Sequence, residues 1–271
     1  MQDPAPRPGV RRWWGSYDLP QDAAGRFKIG PLLVWVEHRV HEWRLAWERA
    51  EGEPPDDGVE VVCPASPEEP PESVTVERIA GRQTSAILAV SPRLADRSIV
   101  SRPETRLRLA GGDEIELYVG THLWARFETA DPSRRLLELP ILQPSDTWFG
   151  PSTLEGELCY ASRTTARLQL ENLPPKPYRA LTQVRLENHG GDDVLLERLN
   201  LPVPHLSLYA ADDGHLWTES VTVERGADGK LAEVRIGGGP PAELGTAEAV
   251  AAPRVEAAGS VFSRALSAFW G

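Results

Sequence analysis

Between Phe27 and Glu48 the residues Leu32, Leu33, Val34, Trp35 and Val36, followed by Trp43, Leu45 and Trp47, alternate with charged neighbours. A two-residue period lines up one set of side chains on one side of an extended strand. Leu32, Val36, Val40, Trp43 and Trp47 also share one side of a 3.6-residue wheel, but a helix would leave Val34, Trp35 and Leu45 on its polar face. The segment therefore predicts a hairpin, which needs further strands to bury its apolar side.

The rest of the chain supplies them. Strands are predicted at Val59 to Cys63, Val74 to Ile79 and Ser85 to Val90, with His122 to Glu128 and Arg135 to Ile141 completing the first half. Pro54, Pro55, Pro64, Pro67, Pro70 and Pro71 cannot donate ladder hydrogen bonds, so residues 53–72 read as a surface connection around one short strand. Thr105 to Val119 predicts a hairpin around Gly111, Gly112 and Asp113. A three-residue loop would pair Leu109 with Ile115 and Leu107 with Leu117, which keeps carboxylates off the buried face.

The second half repeats the style with strands at Leu158 to Tyr160, Ala166 to Leu170, Arg179 to Asn188, Val194 to Leu199, His205 to Tyr209, His215 to Glu224 and Leu231 to Ile236. Asn188-His189-Gly190-Gly191-Asp192 is expected to supply the positive-φ residues of a tight connection. Short strands with regular turns predict an all-β chain of two β-sandwich-like or barrel-like domains. The length of 271 residues suits two cores. The expected division is a loose N-terminus at 1–10, domains at 11–142 and 143–240, a linker at 241–259 and a C-terminal segment at 260–271. Trp13-Trp14-Gly15 and Trp148-Phe149-Gly150 open the two halves alike, a hint of internal duplication.

Residues 242–258 are small and acidic, with little bulk to pack. Beyond them Ser260 can cap a helix whose Val261, Phe262, Ala265, Leu266, Phe269 and Trp270 fall on one half of the wheel, opposite Ser263, Arg264 and Ser267. This predicts a short amphipathic helix on a tether, docking onto a partner groove, a membrane interface, a second copy by a tail swap, or the chain's own body.

A formal charge of -11 argues against a broad phosphate-binding surface, so no nucleic-acid partner is expected. Cys63 and Cys159 lack paired metal-ligand spacing and read as reduced thiols. The polar, Pro-rich start has no signal-peptide h-region, and no run approaches the ~20 apolar residues of a membrane span. The expected location is the cytoplasm, including the inner membrane face.

His38 and His41 sit on opposite faces if their strand continues and converge only across a turn, while His189, His205 and His215 occupy turn-like contexts. No metal and no cofactor are expected. Cys159 between Leu158 and Tyr160 reads as a buried thiol, no GxSxG elbow is present, and no catalytic residue is assigned. Glu155 and Glu157 could share one strand face as paired carboxylates.

The run Trp148-Phe149-Gly150-Pro151, then Gly156-Glu157-Leu158-Cys159-Tyr160 with Arg163 and Thr164, resembles the DUF432 family, an uncharacterised prokaryotic group. The opening Trp14-Gly15-Ser16-Tyr17 and Ile29-Gly30-Pro31 resembles it too. The resemblance brings no reaction and no catalytic residues. It implies a membrane-associated partner, a mechanosensitive channel of the small-conductance type.

The function expected is a noncatalytic interaction or regulatory module that reaches a protein partner, such as a membrane channel, through the C-terminal segment. The rival is a small-ligand or carbohydrate-binding protein or a hydrolase with its site near residues 148–163, formed by Trp148, Phe149, Glu157 and Arg163.

Overall fold

The computed structural model describes residues 12–265 apart from 53–57, 67–68, 82–84, 132, 151, 153, 213–214, 227–230 and 257–260. The chain is all-β. Among the described residues the helices are three-residue 3-10 turns at Leu170–Asn172, Val203–His205 and Ala242–Leu244. No helix among them is long and apolar enough to cross a membrane.

Two compact units divide the chain, one of Val10–Arg93 with Leu123–Gln143, the other including Leu94–His122 and Pro144–Gly271. The first unit carries β1 (Gly15–Asp18), β2 (Ala23–Ile29), β3 (Leu32–Arg39), β4 (Glu42–Arg49), β5 (Val59–Ala65), β6 (Thr75–Ala80) and β7 (Ile87–Arg93). The chain then enters the second unit for β8 (Ile99–Ser101), β9 (Leu107–Leu109) and β10 (Glu114–His122), and returns for β11 (Trp124–Ala130) and β12 (Ser133–Pro140). A contiguous division at residue 142 keeps 94–122 with the first half; the contacts group this stretch with the second.

The expected β3–β4 hairpin forms, with Val34 opposite Trp47, Val36 opposite Leu45 and His38 opposite Trp43. Its neighbours complete a sheet in the order β5-β2-β3-β4-β6. Gly30, with φ +58°, makes the reversal between β2 and β3 that places Phe27 beside Val34. Phe27, Val34, Val36, Trp43 and Leu45 are fully buried on one face. The second sheet, β1-β7-β11-β12, meets that face through Phe127, whose ring lies edge-on to Phe27 at 5.4 Å. Burial of each such side chain contributes about 1.5–3 kcal/mol, which makes this sandwich the energetic centre of the unit. The Pro-rich connection joins β5 and β6 at opposite edges of the five-stranded sheet.

His38 and His41 have different surroundings. His38 stacks on Trp43 at 4.2 Å with Nδ1 2.8 Å from the Leu19 carbonyl oxygen, whereas His41 is exposed in the turn. Cys63 is half-buried, and desolvation, reinforced by Asp18, pushes its thiol from 9.0 up to about 11. A thiol held near 11 carries about 100-fold less thiolate at pH 8 than an unperturbed one, and alkylation of Cys63 in the native protein should be slowed by about that factor relative to the unfolded chain. Because the folded form holds its proton longer, this group favours folding below about pH 9. That contribution is lost as pH rises from 9 through 11.

The second unit continues with β13 (Ser145–Phe149), β14 (Glu157–Ala161), β15 (Arg179–Asn188), β16 (Val194–Leu196), β17 (Leu199–Leu201), β18 (Leu208–Ala211), β19 (Leu216–Trp217), β20 (Val221–Arg225), β21 (Leu231–Ile236), β22 (Ala247–Ala251) and β23 (Val261–Ala265). β15 is its central strand. β10 runs antiparallel along its whole length, and β19 and β20 lie parallel to its two ends. Val184, Leu186, Val221 and Val223 make its fully buried inner face.

Three sequence expectations fail here. The predicted hairpin between Thr105 and Val119 has its turn, with Asp113 N–H donating to Ala110 O at 3.2 Å, but not its ladder. Leu109 pairs with Val194 and Leu117 with Val184, apolar partners on β16 and β15 far along the chain that a local pattern does not announce. Ala166 to Leu170 makes only isolated bridges, Pro103 to Ala166 and Tyr118 to Arg167, before a 3-10 turn. Gly190 and Gly191 are not in the positive-φ region; that turn is organised by the Asn188 side chain.

The C-terminal expectations also need correction. Residues 241–259 include β22, which pairs with β18; an edge strand satisfies its backbone groups on its neighbour and does not need bulky side chains to do so. Val261–Ala265 is not helical. It pairs antiparallel with β21, Val261 opposite Arg235 and Ala265 opposite Leu231. The open edge of β21 offers hydrogen-bonding groups that a free helix of this length would lack, and a short helix is marginal in water. Of the residues assigned to partner binding, Val261, Phe262 and Ala265 lie in this strand, and Leu266, Phe269 and Trp270 lie outside the described residues.

Candidate functional site

The hairpin of β13 and β14 contains most of the residues singled out for ligand binding. Thr147 pairs with Cys159, Trp148 with Leu158 and Phe149 with Glu157. Alternation then separates the candidates. Phe149 and Cys159 point inward and form a small buried cluster with Val100, and the Arg198 guanidinium lies 5.2 Å from the Phe149 ring centre. Trp148 and Leu158 point outward as a cross-strand pair, 40% and 46% exposed. Glu157 shares the inward side with Phe149 and accepts a hydrogen bond from Asn200 Nδ2. Arg163 is exposed and lies beyond Ala161, at the other end of the hairpin from Glu157. The four residues do not converge on one site.

Several residues of this motif make structural contacts. Trp148 Nε1 donates to Ser152 O at 2.7 Å, and Ser152 Oγ accepts from the backbone of Leu154 and Glu155. A Cβ on Gly156 would stand 2.7 Å from Trp148 Nε1, so the indole lies on bare backbone there. A Cβ on Gly150 would meet Glu155 O at 2.1 Å. Tyr160 donates its phenolic proton to Asp96 at 3.0 Å, and burial, followed by that bond, raises its pKa. Cys159 is fully buried, with Sγ 3.7 Å from Glu157 O. Glu155 is in the loop before β14, so Glu155 and Glu157 are not paired on a strand. Trp13 is fully buried ahead of β1, whereas Trp148 is exposed inside β13, so the two aromatic motifs occupy different positions in their strands.

A different cluster sits on the outer face of the second unit's main sheet. Strand register places Glu114 opposite Glu187, Glu187 opposite Glu224, and Glu224 opposite Glu233, a row of four carboxylates across four strands. The adjacent row is Glu116, Arg185, Thr222 and Arg235. Arg185 pairs with Glu116 at 2.8 Å, and Arg235 with Glu233 at 2.9 Å and with Glu224. Carboxylate neighbours raise the pKa of both guanidinium groups. Like charges directly opposite are unfavourable, and two arginines do not neutralise five carboxylates.

His189 follows β15 and turns its imidazole back to this row, Nε2 3.2 Å from Glu187 Oε2. One ligating atom each from Glu187, His189 and Glu224 lies within 4.8 Å of the others. On sequence alone His189 has the context of a turn residue. Its spacing from Glu187 in Glu187-Asn188-His189 was legible, but the approach of Glu224 depends on parallel pairing of β15 with β20, which no local pattern announces.

In the first unit, a cleft of about 610 Å³ opens at the β3–β4 turn, lined by Asp22, His38, His41, Glu42 and Arg78 among others. Its Arg78 is paired to Glu42 at 2.8 Å.

No curated protein and no solved structure matches the chain. Residues 13–269, nearly the whole chain, match the family described as "Protein of unknown function (DUF432)", and the chain belongs to that family.

Proposed function

We propose that the protein is a noncatalytic interaction module whose β13–β14 hairpin presents Trp148 and Leu158 to a protein partner. The observation that supports this reading is the outward pairing of these two apolar side chains on a hairpin otherwise fixed by its core and loop contacts. Leu154, 93% exposed, stands in the loop that joins the two strands. A rigid, partly exposed tryptophan suits the centre of an interface because it loses little side-chain entropy on binding. With Cys159 and Phe149 buried, Trp148 and Leu158 are the exposed large apolar side chains of the two strands.

The partner to test first is a mechanosensitive channel of the small-conductance type, which the family resemblance implies. A photoreactive amino acid in place of Leu158 should give a discrete cross-linked product in cells, while the same probe at Leu168, also exposed, should not. Trp148→Ala should reduce the Leu158 product at least tenfold. Equal yields from positions 158 and 168, or no product from either, would reject the reading.

A further inference from the structure

We propose that Glu187, His189 and Glu224 form a binding site for a divalent transition-metal ion, with zinc as the fitting member of that class. Two carboxylates and one imidazole are a donor set that zinc accepts at about 2.0–2.2 Å from each atom. Two ligands at such distances around a four-coordinate ion stand roughly 3.4 Å apart. His189 Nε2 and Glu187 Oε2 are already at 3.2 Å, and all three donors fall within 4.8 Å, so small side-chain rotations close the set.

Two of the three ligands lie on paired strands. Glu187 and Glu224 are directly paired on adjacent parallel strands, and their side chains are only 20% and 16% exposed. The backbone of His189 is anchored by its N–H, which donates to Arg225 O at 3.0 Å, and it follows the buried Asn188. A histidine in this position distinguishes the cluster from a solvated acidic face, because imidazole adds a nitrogen donor suited to zinc rather than to magnesium or calcium. Arg235 engages Glu224 through Oε1, which leaves the second carboxylate oxygen available to an ion. The cation would also relieve the opposition of Glu187 and Glu224 across the ladder. Three protein ligands leave one position for water or for a donor from a bound molecule.

The test uses the full chain, stripped of metal with a chelator and then titrated with zinc by calorimetry and with cobalt(II) by visible absorption. The expected result is one saturable equivalent, with cobalt bands of tetrahedral type. His189→Ala and Glu224→Gln should each weaken binding at least tenfold, and His41→Ala, at the exposed turn of the first unit, should leave it unchanged. Since His189 is exposed, its replacement should preserve the fold, which circular dichroism checks. Absence of a saturable equivalent, retention of full affinity in His189→Ala, or equal loss in His41→Ala would each overturn the assignment.

Discussion

Asn188→Ala should lower the stability of the second unit by about 3–5 kcal/mol, read as a fall in the midpoint of urea unfolding with little change in slope. Asn188 is 1% exposed at the end of β15. Its amide nitrogen reaches Leu109 O at 3.2 Å, Ala110 O at 3.0 Å and Asp192 O at 2.9 Å, and its oxygen accepts from Gly190 N and Arg225 Nη1, both at 3.2 Å. One side chain thus ties the end of β9, the 189–193 turn and the end of β20. Alanine removes every one of these bonds and strands several buried polar groups, each at a cost of about 1–3 kcal/mol. Asn188→Asp should be no better, because its carboxylate would face the carbonyl oxygens that now accept from the amide. A loss below about 1 kcal/mol for either variant would show that water replaces the side chain and that the knot is dispensable.

Gly150→Ala is the second large effect, about 2–4 kcal/mol. The new methyl would stand 2.1 Å from Glu155 O and 2.4 Å from Gly156 Cα, both backbone atoms that cannot swing aside. The loop must open, and the indole of Trp148 loses the surface on which it rests. Hydrogen exchange should quicken selectively in β13 and β14. Gly191→Ala is the control: a Cβ there meets nothing within 4 Å, and its φ is outside the left-handed range, so the change should stay within about 0.5 kcal/mol. Comparable losses at 150 and 191 would refute the close-packing account.

These two glycines also show what local sequence could and could not reveal. Gly190-Gly191 looks like a turn that needs conformational freedom, yet Asn188 does the organising through bonds to residues far back in the chain. Gly150 attracts notice only as part of a motif, and its task depends on the return path of the loop. The β3–β4 hairpin was legible because its alternation and its two-residue turn are local. The partners of β9 and β10 were not, since Leu109 and Leu117 are equally apolar whichever strand they meet. Val261–Ala265 has a helical pattern and nevertheless pairs as a strand, since the open edge of β21 is invisible to a wheel. The site followed the same rule: Trp148 and Glu157 are close in sequence but face opposite ways, whereas Glu187 and Glu224 meet only through long-range register.

The return of the chain to its first unit after β10 constrains how the molecule can be divided. Residues 94–122 supply the strand that lines the whole of β15, and residues 123–143 then go back to supply β11 and β12. A chain cut between residues 122 and 123 would give two fragments, the first without β11 and β12 and the second without β8, β9 and β10. Each unit is assembled from separate stretches of chain, so no single continuous segment of the gene encodes either one.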